Sequence, residues 1–185
     1  ECACQYHGAN WLGGNSLLGA AFGGYTAAQT ILQDTPIQGL SAAEAAEAAE
    51  GWRAVCDAMA ARREAVSCAA VEAELSRILN DCLGIRRQEV SLCTGAAALA
   101  ELTRHVCAGQ DREAGAARQY ALEARLALAT AMVESAWARK ESRGAHFRTD
   151  FPRRDDAHYQ KTTVARRHSD GTEISFEPIA EEARP

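Results

Sequence analysis

The feature that most constrains this chain is the helical period running through its middle, from Gln33 to Arg143. Val71, Leu75, Ile78, Leu79 and Cys82 recur three or four residues apart, the spacing that lines one face of an α-helix. Leu92, Leu99, Leu102 and Val106 make a further such face, and Leu122, Leu126, Val133 and Trp137 another. A shorter one, Trp52, Val55 and Met59, precedes them and follows Ser41-Ala-Ala-Glu44, a capping box that opens a helix. Gly84 and Gly109 stand where the second and third faces stop, as helix ends require. The last helix is predicted to start near Asp111 and to run close to Ser142. Abundant alanine raises helix propensity and lets helices approach closely. The expected fold is mainly α, a three- or four-helix bundle over residues 41–143 with a structural core and no cofactor box among its apolar faces.

The flanks differ in pattern. Residues 33–40, with Asp34-Thr-Pro-Ile-Gln-Gly39, read as a linker rich in turn formers. Beyond the bundle, Pro152 stops any helix, and Asp155-Asp156 suits the cap of a short turn. Tyr159 to Arg167 reads as extended, Ser169-Asp-Gly171 as a turn, and Glu173 to Glu177 alternates like a strand. Residues 144–185 therefore form a tail with a small β-hairpin or a pair of extended strands, and Glu181 to Pro185 is expected to fray.

At 47% hydrophobic and 24% charged, the 185 residues can bury a core. A formal charge of -5 argues against a nucleic-acid surface. The local basic residues, Arg139-Lys140, Arg143, Arg148, Arg153-Arg154 and Arg166-Arg167, are interleaved with acids and read as an ion-pair network. No apolar run is long enough to span a membrane, and no signal peptide is visible. The seven cysteines lack metal-ligand spacing, so no metal is assigned. An odd count in such a chain points to reduced thiols in a cytoplasm-like compartment, most of them small buried apolar residues.

His7 to Gly24, HGANWLGGNSLLGAAFGG, carries the chemistry. Gly8, Gly13 and Gly14 allow a tight turn and a close approach to a flat ligand. Asn15 or Ser16 can cap a helix that begins at Leu17. The first turn of that helix offers unpaired N–H groups and a partial positive charge. Such an end suits the electron-rich edge of a reduced flavin, although a glycine-rich turn before a helix also occurs with no ligand.

The second motif, ESRGAHFRTDFPRRDD from Glu141 to Asp156, is dense in Arg, Asp, His and Glu. Together, HGAN-x-LGGNSLL and ESRGAHFRTDFPRRDD resemble the flavoprotein subunit of succinate dehydrogenase and fumarate reductase, with its relative L-aspartate oxidase. The resemblance covers nearly the whole chain, the middle matching in helical character. It implies an FAD-dependent oxidoreductase whose C-terminal part this chain represents, residues 1–32 being the terminal piece of the FAD-binding domain. The Gly-x-Gly-x-x-Gly turn that would hold the dinucleotide pyrophosphate does not occur in these residues. The chain is therefore expected to be inactive alone and not to hold FAD tightly.

The resemblance also implies roles residue by residue. Ser16 and Leu17, with Asn15 beside them, match the positions that set backbone groups against the flavin ring. Glu1 matches a glutamate on the cofactor's ribose, with a spacing to His7 one residue shorter than usual. Trp11 stands where the family carries an arginine that clamps a substrate carboxylate. An indole offers one N–H and a large apolar face where a guanidinium offers charged, bidentate donors. Either Trp11 lines a pocket for a more apolar substrate, or it fills space in a divergent copy.

The remaining polar residues take structural readings. His7 is expected to bond backbone, His105 to lie on the surface, and His146 and Asp150 to pin the segment between bundle and flavin domain. His158 and His168 have no metal-site spacing. Two functions stay open: part of a flavin-dependent oxidoreductase, or a non-catalytic helical module docking onto a separate flavin-binding domain. Expected partners are an upstream FAD-binding domain and an iron–sulfur or other electron-transfer subunit. A homo-oligomer through the apolar N-terminal segment (Trp11, Leu12, Leu17, Leu18, Phe22) is also open. The expected location is cytoplasmic, peripheral to a membrane only through a partner.

Overall fold

A computed structural model describes residues 13–33, 39–168 and 171–179. Five long helices run in order: α1 (Asn15–Gln33), α2 (Ala42–Ala60), α3 (Cys68–Leu83), α4 (Glu89–Ala108) and α5 (Ala116–Ala138). A two-residue parallel pair, β1 (Glu64–Ala65) and β2 (Gly109–Gln110), ties the chain before α3 to the end of α4. A short helix α6 (Asp156–Tyr159) leads into the antiparallel hairpin β3 (Lys161–His168) and β4 (Gly171–Pro178). Two compact units divide at Ala54/Val55, inside α2.

In the first unit, Gly14 turns the chain at φ +84° into α1, which buries none of its residues. The capping box of α2 forms as expected. The Ser41 N–H donates to Glu44 Oε2 at 2.8 Å, and the Glu44 N–H returns to Ser41 Oγ at 3.2 Å. Trp52, expected to share an inward face with Val55 and Met59, lies in this unit at 41% exposure, whereas Met59 is buried in the other.

The second unit is built on α3, α4 and α5. Leu92, Leu99, Leu122, Leu126, Val106 and Val133 have no exposed surface, and Val71, Leu75, Ile78 and Cys82 close the α3 side. Each fully buried leucine contributes about 1.5–3 kcal/mol of transfer free energy. The helices run up, down and up. Glu89 at the start of α4 meets Trp137 at the end of α5, while Val106 meets Gln119 near its beginning. Glu72 of α3 bonds Arg118 and Arg125 of α5. At Gly95, α4 approaches α3 so closely that a Cβ would stand 2.6 Å from Cys82 Sγ.

Both expected ends of α5 move inward. Asp111 does not start the helix. Its carboxylate accepts the N–H groups of Cys68, Glu113 and Ala114, so it closes the start of α3 and its own turn. Gly115, at φ +79°, then redirects the chain into α5. At the other end Arg139 leaves the helix because its side chain is committed to the hairpin. The N-terminal helix differs too: α1 begins at Asn15 rather than Leu17.

The cysteines also depart from expectation. Among the described ones only Cys68 and Cys82 are buried, Cys56 is half-buried, and Cys93 and Cys107 are exposed. Residues 93 and 107 each follow a core position, Leu92 or Val106, and one step around a helix turns them out to solvent. In the tail the short turn and the hairpin form as expected, with Tyr159 in the helix rather than extended, while Ser169, Asp170 and Glu181 to Pro185 lie outside the described residues. Asp155 caps α6 through the His158 N–H at 3.2 Å, and the hairpin pairs Lys161 with Pro178 through His168 with Gly171.

Candidate functional site

The start of α1 presents Asn15, Ser16 and Leu17 on one exposed helical turn, with Leu17 at 80% exposure. No acidic residue lies in that first turn, so no side-chain charge within it offsets the partial positive charge of the helix start. Leu18, Phe22, Tyr25, Ile31 and Leu32 are also exposed along the helix. A flat, electron-rich ring edge fits such a helix start, and these residues can supply one edge of a cofactor site. Glu1 and Trp11 fall outside the described residues, as does His7.

The second motif folds into a junction where α5 ends and α4 begins, and two of its charged residues are buried. Arg148 and Glu141 have no exposed surface. Arg148 donates to both oxygens of Asp150 (2.8 and 2.7 Å), to Glu89 at 2.8 Å, and to the carbonyls of Ala136 and Trp137 at 3.1 Å. Its hydrogen bonds to Asp150 and then to Glu89 raise its pKa against the opposing effect of burial. Asp150 is held well below the usual carboxylate range, first by Arg148, and it also accepts the Glu89 N–H at 2.8 Å at the start of α4.

Glu141 gathers Arg139 (2.5 Å), Arg143 (2.7 and 3.0 Å) and the Asp155 N–H (2.9 Å). Burial alone would push its carboxyl up, but the bonds from Arg143, Asp155 and Arg139 together hold it below the ordinary value. Arg143 continues to Asp156, which Arg154 also meets. Arg139 reaches the hairpin through the carbonyls of Tyr159 and Lys161 and through Thr163 Oγ1, with its guanidinium near the rings of Tyr159 and Phe176. Arg139, Arg143, Arg148, Arg154 and Arg166 thus each meet a carboxylate, as the interleaved acids implied.

His146 sits inside this junction. Its Nδ1 lies 2.9 Å from Arg87 Nη1 and its Nε2 lies 3.1 Å from the Arg139 carbonyl. Arg87 can only donate and the carbonyl can only accept, which fixes the neutral Nε2–H tautomer. Burial and the surrounding Arg87, Arg139 and Arg148 charges lower its pKa. His146 and Asp150 thus tie the segment to Arg87 and Glu89 at the start of α4. The loop that receives them, Arg87 to Glu89, was not singled out from sequence. It lies about 60 positions away, and nothing local signals the pairing.

The other tempting residues have plain partners. His158 bonds Asp155 at 2.8 Å, His168 lies 3.1 Å from Glu173, and His105 is exposed on α4. Burial, with Asp111 beside it, pushes the Cys68 thiol up to about 11, which makes it inert rather than nucleophilic. An open groove of about 770 Å³ beside β1 is lined by mixed charges, among them Arg63, Glu64, Asp111 and Arg118. Among the described residues no cluster of His, Cys, Asp and Glu is placed to hold a metal ion, and no helix is long and apolar enough to cross a membrane.

Comparison with known proteins agrees with this arrangement. The family described as fumarate reductase flavoprotein C-term matches residues 72–184. The fumarate reductase flavoprotein subunit of Mycobacterium tuberculosis is 33% identical over 97% of this chain and 33% of its own length. The L-aspartate oxidase of Agrobacterium fabrum is 36% identical over 84% of this chain and 25% of its own. A solved quinol-fumarate reductase with menaquinol molecules superposes with a TM-score of 0.74 at 28% identity, over 97% of this chain and 33% of that one. The chain spans about a third of the length of the curated relatives it matches first. It belongs to the fumarate reductase and succinate dehydrogenase flavoprotein family, and its fold is that family's C-terminal helical domain.

Proposed function

We propose that this chain serves as the C-terminal part of an FAD-dependent oxidoreductase, contributing a flavin-contacting helix start and a helical domain, without catalysing alone. The observation that carries the reading is the exposed, acid-free first turn of α1 formed by Asn15, Ser16 and Leu17, within a motif matching the family. FAD, when bound, supplies hydride acceptance and donation. The residues here that would hold it are the backbone groups of Ser16 and Leu17, beside Asn15. Glu1 would meet its ribose. The remainder of the cofactor site would come from an upstream FAD-binding domain. Electrons would pass to an iron–sulfur or other electron-transfer subunit, in a cytoplasmic protein peripheral to any membrane.

The visible absorption of the purified chain, after incubation with FAD and removal of excess, tests this. A colourless protein is expected, with a retained flavin band only in a polypeptide extended through the upstream domain. A band retained by the 185 residues alone, or absent from the extended polypeptide, would overturn the reading.

Trp11 bears on the substrate. With an indole where a carboxylate-clamping guanidinium would stand, the pocket would favour a more apolar substrate than a dicarboxylate. Trp11→Arg in the extended, flavin-loaded polypeptide is expected to tighten succinate or fumarate binding by about 2–4 kcal/mol. Titration of the flavin spectrum with each acid reads this directly. Unchanged dissociation constants would mean that Trp11 only fills space.

A further inference from the structure

We draw no further inference here: the strongest candidate, the apolar groove that Ile78, Cys82, Gly95 and Ala98 line between α3 and α4, carries none because nothing in the structure shows what covers it.

Discussion

Arg148 shows how a charge survives without exposed surface. All five of its guanidinium N–H groups are taken, by Asp150 twice, Glu89 once and two backbone carbonyls, with the Phe151 ring 5.0 Å from its centre. An unpaired buried cation would instead shift its pKa or unfold its surroundings. His146 pays the electrostatic consequence, since its burial first, and then the three arginines around it, disfavour a further positive charge. The stability effect has a definite sign. Folding lowers the His146 pKa below 6.5, so under that pH the unfolded chain takes up more protons than the folded one. Stability is expected to fall as pH drops below about 6.5 and to level off once His146 is protonated in both states. His146→Gln keeps an acceptor for Arg87 and a donor for the Arg139 carbonyl, and should flatten that slope. Guanidinium unfolding midpoints of both proteins between pH 7 and about 5 measure it, the comparison of the two slopes isolating His146 from the other groups that titrate there. Parallel slopes would remove His146 as the cause.

The elements were legible wherever their cause is local. Val71, Leu75, Ile78 and Cys82 point one way because of helical geometry alone, and the same holds for Leu92, Leu99 and Val106. The hairpin followed from alternation and a turn signal. Ends were less legible, because they are decided by distant partners. Asp111 was free to cap α3 only once α3 lay beside it, and Arg139 left α5 only because the hairpin carbonyls were there to bond. The junction was legible as an ion-pair network, but its partners on the Arg87–Glu89 loop were not. The close approach of α3 and α4 at Gly95 was equally hidden, as a glycine inside a helical pattern usually costs stability. Gly95→Ala would gain about 1 kcal/mol of helix propensity. It would also force a Cβ against Cys82 Sγ, and overpacking of this kind costs about 1–3 kcal/mol. Net destabilisation is expected. Cys82→Gly removes both the sulfur and the Cβ that would stand 2.7 Å away, so the double variant should be more stable than the sum of the two single changes by about 1 kcal/mol or more. Additive unfolding free energies across the cycle would show that the helices do not meet at this pair.

At the scale of the whole chain, burial is confined. Among the described residues every buried one lies between Met59 and Arg148, and α1 contributes none. The second unit therefore carries its own core and its own ion-pair junction, while the first turn of α1 carries the residues proposed to meet the cofactor. This division is what a flavoprotein domain assembled from two parts requires: one part stable by itself, the other supplying an edge that is useful only against a partner surface. The consequence is measurable. A polypeptide starting at Ser41, which keeps the α2 capping box and Met59, should unfold cooperatively within about 3 °C of the full chain, the shift expected of about 1 kcal/mol. Hydrogen exchange should find α3, α4 and α5 the slowest elements in both, and α1 of the full chain far faster. If deleting residues 1–40 lowers the melting temperature by much more, then α1 buries surface in solution that it does not bury here. The N-terminal motif would then be part of the folded core rather than one edge of a cofactor site.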